Sequence, residues 1–111
     1  MKIEFTSRKT AKLLNNKKEL CKTYGNDAST IQRRLAQLEA LECLDDIRQL
    51  PDAISIHCHR LTGKGAEHFA VNVGARNRLI FSPCFDEYAG TLDDWKTIVH
   101  IIIIGVTDYH K

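Results

Sequence analysis

Several things are scarce or missing in this 111-residue sequence. The first ten residues, MKIEFTSRKT, contain no apolar stretch of the kind that directs secretion. The longest apolar run, IVHIIIIGV from Ile98 to Val106, is broken by His100 and is far shorter than the roughly 20 residues of a membrane-spanning helix. A soluble, cytoplasmic protein is therefore expected. The four cysteines, Cys21, Cys43, Cys58 and Cys84, form no C-x-x-C pair and sit among apolar neighbours, which argues against a zinc ribbon or redox motif and for reduced structural thiols. Internal repeats and low-complexity segments are also missing. With 43% hydrophobic residues, the composition predicts one domain spanning residues 1–111.

What is present is segregated charge. Residues 1–34 hold nine Lys and Arg against three Asp and Glu, and residues 57–82 hold four against one. Residues 35–56 reverse the balance with one against five, and residues 83–111 hold two against five. Two basic blocks of this kind either attract phosphates or solvate helix faces, and charge alone leaves both open.

Apolar periodicity orders the elements. KIEF alternates as a short first strand, and Thr6 or Ser7 caps a helix through RKTAKLLNNKKELCK, with Ala11, Leu14 and Cys21 on one stripe. Ser29 and Gln32 have capping-box spacing, and Ile31, Leu35, Leu38, Leu41 and Leu44 carry a second helix to about Leu44. The period then becomes two. HFAVNV places Phe69, Val71 and Val73 on one face and Ala70 and Asn72 on the other. GARN turns, and RLIFS places Leu79 and Phe81 inward, with Arg78 and Ile80 outward. Ile98 to Gly105 reads as a buried central strand. The expected fold is α+β in the order β-α-α-β-β-β, two N-terminal helices packed on one face of a small antiparallel sheet. The other face is expected to carry Asn72, Arg78 and the C-terminal tail.

The second half gathers side chains suited to acid–base and phosphate chemistry: His57, His59, Lys64, His68, Arg76, Arg78, Asp108, Tyr109 and His110. An extended tail projects Asp108 and His110 together and Tyr109 oppositely. His59 and Lys64, in HCHRLTGKG, precede the hairpin that carries Arg78. Such a group holds the parts for RNA cleavage through the RNA's own 2′-hydroxyl: a base, a cation for the crowded phosphorane and an acid for the leaving oxygen, with no metal required. A metal reading starts from His57, Cys58 and His59, with Cys84, His68 or His100 as further ligands, but shows only half of the usual paired spacing.

HRLTGKGAEHFAVNVGARNRLIF, followed by an apolar strand and a terminal TDYHK, resembles the killer-protein, HigB-like branch of the RelE superfamily of toxins from type II toxin–antitoxin pairs. The resemblance implies an endoribonuclease, an mRNA interferase that cuts mRNA on translating ribosomes and arrests growth, with no cofactor. It also implies a helix-turn-helix, HigA-like antitoxin as partner, and contact with operator DNA only through the antitoxin complex. By resemblance His110 and Tyr109 do acid–base work and position the substrate, Asp108 supports them, Arg78 meets the scissile phosphate, and His59 opens the basic loop. Arg60, Lys64, Asn72 and Arg76 are the implied RNA contacts. The family pattern is not reproduced everywhere: Thr62 stands where its loop carries a lysine, with Lys64 two places on, Asn72 replaces a second strand arginine, and Asn77 replaces an aromatic. With fewer cations, a non-catalytic module that binds RNA or antitoxin is the alternative, and a tail that is merely packed is a third reading.

Overall fold

A computed structural model of the chain describes residues 1–63, 67–84 and 91–108. The first strand, β1 (Lys2–Phe5), leads into α1 (Arg8–Leu14), whose N-terminus is capped by Ser7: its Oγ accepts from the Thr10 N–H at 3.1 Å. The expected long first helix is divided. Asn15 closes α1, and Asn16 opens α2 (Lys17–Tyr24) by accepting the Glu19 N–H on its side chain at 3.2 Å. Two consecutive asparagines compete with the helical backbone bonds and supply a stop and a start instead. The apolar stripe shifts accordingly: Leu14 and Leu20 are buried, whereas Cys21 is exposed.

A single 3-10 turn, Gly25–Asp27, runs directly into α3 (Ala28–Ala40), so the expected Ser29–Gln32 capping box does not form. Asp27 occupies the cap position without a side-chain cap bond. Its carboxylate instead accepts from the Asn77 side chain at 2.8 Å and lies against Gly74, at φ +65°, where an added Cβ would fall 2.3 Å from Asp27 Oδ1. Glycine takes that φ without strain and leaves the carboxylate its place, which any side chain would displace.

The second helix ends four residues before the sequence suggests. Leu41 is extended, and the Leu44 N–H bonds to the distant Ile98 carbonyl at 2.8 Å. Leu41 and Leu44 are still buried, so the apolar spacing records burial there without helix. A 3-10 segment, Leu44–Gln49, and a short α4 (Ala53–Ile56) follow. Four strands complete the chain: β2 (His59–Arg60), β3 (Phe69–Val73), β4 (Asn77–Pro83) and β5 (His100–Asp108).

The sheet has the order β1-β5-β4-β3-β2. It is mixed and not purely antiparallel, because β1 lies parallel to β5 while the other pairs are antiparallel. β5 holds an inner position between β1 and β4, which explains why Ile101 and Ile103 are fully buried. One face packs against the helices through Phe69, Val71, Val73, Leu79, Phe81, Ile101 and Ile103, meeting Leu14, Leu20, Ile31, Leu38 and Ile56. Phe69 stacks on Phe81 at 5.8 Å between centroids and takes the edge of Trp95 at 5.3 Å. Each such buried side chain stabilises the fold by roughly 1.5–3 kcal/mol.

A bulge re-phases β5. Opposite β4, Ile80 faces Gly105 but Phe81 faces Ile103, leaving Ile104 as the extra residue. Val106 therefore joins Ile101 and Ile103 on the helix side, and Thr107 comes out beside Arg78.

Candidate active site on the sheet face away from the helices

The alternation of β3 and β4 puts Asn72 directly opposite Arg78, and Arg78 directly opposite Thr107 of β5, in one transverse row. At the sheet edge His59 stands opposite Ala70, on the same face. From that position its Nε2 meets the Arg78 guanidinium at 3.1 Å. The imidazole is held from behind as well: Nδ1 lies 2.9 Å from the His57 carbonyl oxygen. A carbonyl only accepts, so Nδ1 carries the hydrogen and Nε2 presents its lone pair to the guanidinium.

The local backbone makes this arrangement possible. His57 terminates α4 in the left-handed region, at φ 46° and ψ 58°, the one such non-glycine among the described residues. That conformation costs a side-chain-bearing residue about 1–2 kcal/mol. It turns the chain sharply into β2, brings the His57 and His59 rings to 4.6 Å, and aims the carbonyl at Nδ1. Nothing in HCH signals this turn in advance.

Beneath the row, α3 fastens β3. Arg34, buried at 5% exposure, donates from Nε to the Asn72 carbonyl at 2.9 Å and from its guanidinium to Gln37 at 3.0 Å and Asp52 at 3.4 Å. Gln37 donates to both Asp52 oxygens at 3.2 Å. These bonds from Gln37, with the charge of Arg34, hold the Asp52 carboxyl below its ordinary value.

The structure divides the other expected site residues. Asp108 does not share the face of Arg78: the bulge turns it to the helix side, where it pairs opposite Asn77 and lines a cleft with Thr23, Tyr24, Asp27 and Arg76. Arg60 points away from its neighbour His59 and pairs with Asp93 at 2.9 Å. His68 is half-buried and accepts the Leu61 N–H on its carbonyl at 2.9 Å. Lys64, Tyr109 and His110 lie outside the described residues. Burial pushes the Cys58 thiol up to about 12, and the one group of three metal-ligating side chains that converges among the described residues includes none of His57, Cys58 and His59.

The row of Asn72, Arg78 and Thr107, with His59 leaning into it, offers a cation beside a proton-accepting nitrogen on a rigid sheet. The structure of a YoeB/ParE toxin from Agrobacterium tumefaciens superposes on this chain with a TM-score of 0.55 at 11% sequence identity, covering 99% of this chain and 100% of that one. The chain has the fold of that toxin. No protein-family model and no curated sequence matches it. Within this toxin fold the His59–Arg78 pair sits on the sheet face away from the helices, and the Asp108–Arg76 cleft opens on the helix side. Sequence reasoning named both members of the pair but missed the buried Arg34–Gln37–Asp52 network behind it. Arg34 reads in sequence as one more cation of a basic block, and its burial is a consequence of tertiary packing alone.

Proposed function

We propose that the chain is the toxin of a toxin–antitoxin pair and acts as an endoribonuclease that cuts mRNA on the ribosome. The observation that carries this reading is the 3.1 Å approach of His59 Nε2 to the Arg78 guanidinium on the sheet face away from the helices, in a fold shared with a YoeB/ParE toxin. In the reaction, His59 Nε2 takes the proton of a ribose 2′-hydroxyl, the 2′-oxygen attacks the adjacent phosphorus, and the P–O5′ bond breaks. Arg78 donates to the non-bridging oxygens as negative charge accumulates in the phosphorane. The departing 5′-oxygen requires a proton, and His110 is the proposed donor. The products are a 2′,3′-cyclic phosphate and a 5′-hydroxyl. Tyr109 is assigned to stacking on a base, and Lys64 and Asn72 to the RNA backbone, while Arg60, paired with Asp93, and Arg76, in the helix-side cleft, stand off the row. The proposed partner that silences the chain is a helix-turn-helix antitoxin of the HigA type, through which alone the complex would touch operator DNA. The cytoplasm is its proposed compartment, and residues 1–111 its one domain.

Cleavage of a defined mRNA on programmed ribosomes tests this. The wild-type protein is expected to leave 2′,3′-cyclic phosphate ends, and Arg78→Ala and His59→Ala to lower the rate by roughly 10²–10³-fold, the usual worth of one positioned charge or base. RNA binding without cleavage by folded wild-type protein would transfer the assignment to the non-catalytic module, a reading favoured by Asn72 and Thr62 standing where cations are expected.

A further inference from the structure

At the opposite end of the same sheet face lies a second cluster. Glu4 of β1, His100 at the start of β5 and Cys84 just after β4 come from three adjacent strands, and one ligand atom from each falls within 4.8 Å of the others. Among the described residues this is the one place where three such donors converge. The strands fix all three. Lys2 stands opposite His100 in the parallel β1–β5 pair, so Glu4 lies two residues along on the same face. The Cys84 N–H donates to the His100 carbonyl at 2.9 Å, which extends the β4–β5 ladder to this point. His100 is buried to 7% exposure, and its Nε2 lies 2.6 Å from Glu4 Oε2.

We propose that Glu4, Cys84 and His100 form a zinc-binding site that clamps the edge strand β1 to the centre of the sheet. A thiolate, an imidazole and a carboxylate are the three donor types zinc takes, and three protein ligands leave a fourth, tetrahedral position for water. Ligand atoms about 2.0–2.3 Å from one zinc ion stand roughly 3.3–3.7 Å apart. The His100–Glu4 pair must therefore open by about 1 Å and the widest pair close by about as much, within reach of side-chain rotation. Binding balances as an exchange: the metal replaces the proton shared by His100 Nε2 and Glu4 and the proton of the Cys84 thiol, so protons leave as Zn²⁺ enters. The site stands apart from the His59–Arg78 row and does not depend on the proposed nuclease chemistry. In the sequence its trace is the interruption of an isoleucine run by His100, a polar ring in the most apolar stretch of the chain.

The experiment is titration of the metal-free full-length protein with Co²⁺, followed by displacement with Zn²⁺. The expected result is one equivalent bound, a thiolate-to-cobalt charge-transfer band with the intense visible absorption of tetrahedral cobalt, and loss of both on adding zinc. Cys84→Ser should abolish the charge-transfer band and weaken zinc binding by on the order of 100-fold, and Glu4→Gln by roughly 10-fold, whereas Cys21→Ser should change nothing. Zinc at 100-fold excess over Kd should raise Tm by on the order of 10 °C in the parent. If Cys84→Ser does not fold, alkylation of the parent decides: zinc should protect Cys84 and leave the exposed Cys21 reactive. Absence of the cobalt band, its persistence in folded Cys84→Ser, or equal alkylation of Cys84 with and without zinc would overturn the site.

Discussion

The two faces of the sheet are made from the same strands, yet their residues are governed by different rules. On the helix side, Phe69, Val71, Val73, Leu79 and Phe81 are all fully buried, and any large apolar side chain placed there finds partners. On the other side, the useful pairs depend on register: Arg78 meets His59 because β2, β3 and β4 align His59 with Ala70 and Asn72 with Arg78. Burial is forgiving of neighbours and strict about volume, while chemistry is the reverse. A substitution on the first face should therefore read out in stability and one on the second in rate.

The largest effect is expected from breaking that comparison on both sides at once. Phe81→Ala removes a fully buried ring stacked on Phe69 and should lower stability by about 3–5 kcal/mol. Arg78→Ala, one residue before the buried Leu79 and on the opposite face of the strand, should leave Tm within a few degrees while suppressing cleavage. Thermal melts beside cleavage rates on the same two proteins measure this. A nuclease loss in Arg78→Ala that tracks an equal loss of stability would dissolve the distinction between faces.

Arg34 is where the two faces are joined, since it is buried among the helices and bonds the backbone carbonyl of Asn72. Arg34→Leu keeps bulk but leaves that carbonyl unpaired and Asp52 without its cation, at an expected cost of about 2–4 kcal/mol. Urea denaturation should show the loss in the midpoint with an unchanged slope. A cost near zero would mean that the strand under the site holds its place without α3.

How much of this was legible follows the same division. Alternation in HFAVNV and RLIFS assigned every inner and outer residue of the hairpin, because a side-chain period of two is imposed by strand geometry itself. The same reasoning misplaced Asp108. A bulge at Ile104 carries no apolar signature, and one inserted residue exchanges the two faces for everything beyond it. The break between α1 and α2 was visible as Asn15–Asn16 yet outweighed by helical spacing on either side. The parallel placement of β1 was not legible, since pairing direction is decided by where the helices return the chain and not by KIEF. The His59–Arg78 contact was legible as residue types only; the His57 turn that aims the imidazole has no sequence mark.

The displaced aspartate sharpens the comparison further. Because Asp108 lines the helix-side cleft with Tyr24 and Arg76, Asp108→Ala should change cleavage by less than about threefold. His59→Ala, on the opposite face, should lose at least about a hundredfold. Single-turnover rates on one RNA rank the two. Equal losses would show that the helix-side cleft also holds substrate.

The smallest effect concerns Asp52, and it tests whether the network behind the site is electrostatic or merely packed. The Gln37 side-chain bonds are the main force holding its carboxyl below the ordinary value; its own backbone bond and Arg34 add to them, and partial desolvation opposes them. For an acid lowered on folding, the ionised form is favoured in the native state. Its contribution is therefore complete above the unfolded pKa of about 3.9 and disappears as pH falls through the lower native value. Asp52→Asn retains the shape and one acceptor oxygen for Gln37 but surrenders the charge beside Arg34. The Tm gap between parent and variant should be constant from about pH 5 to 8 and close as pH drops below about 4. Calorimetric melts of both proteins across that range give the answer. A gap that persists unchanged in acid would assign Asp52 to hydrogen-bond geometry, and Arg34 would then be held at Asn72 by packing alone.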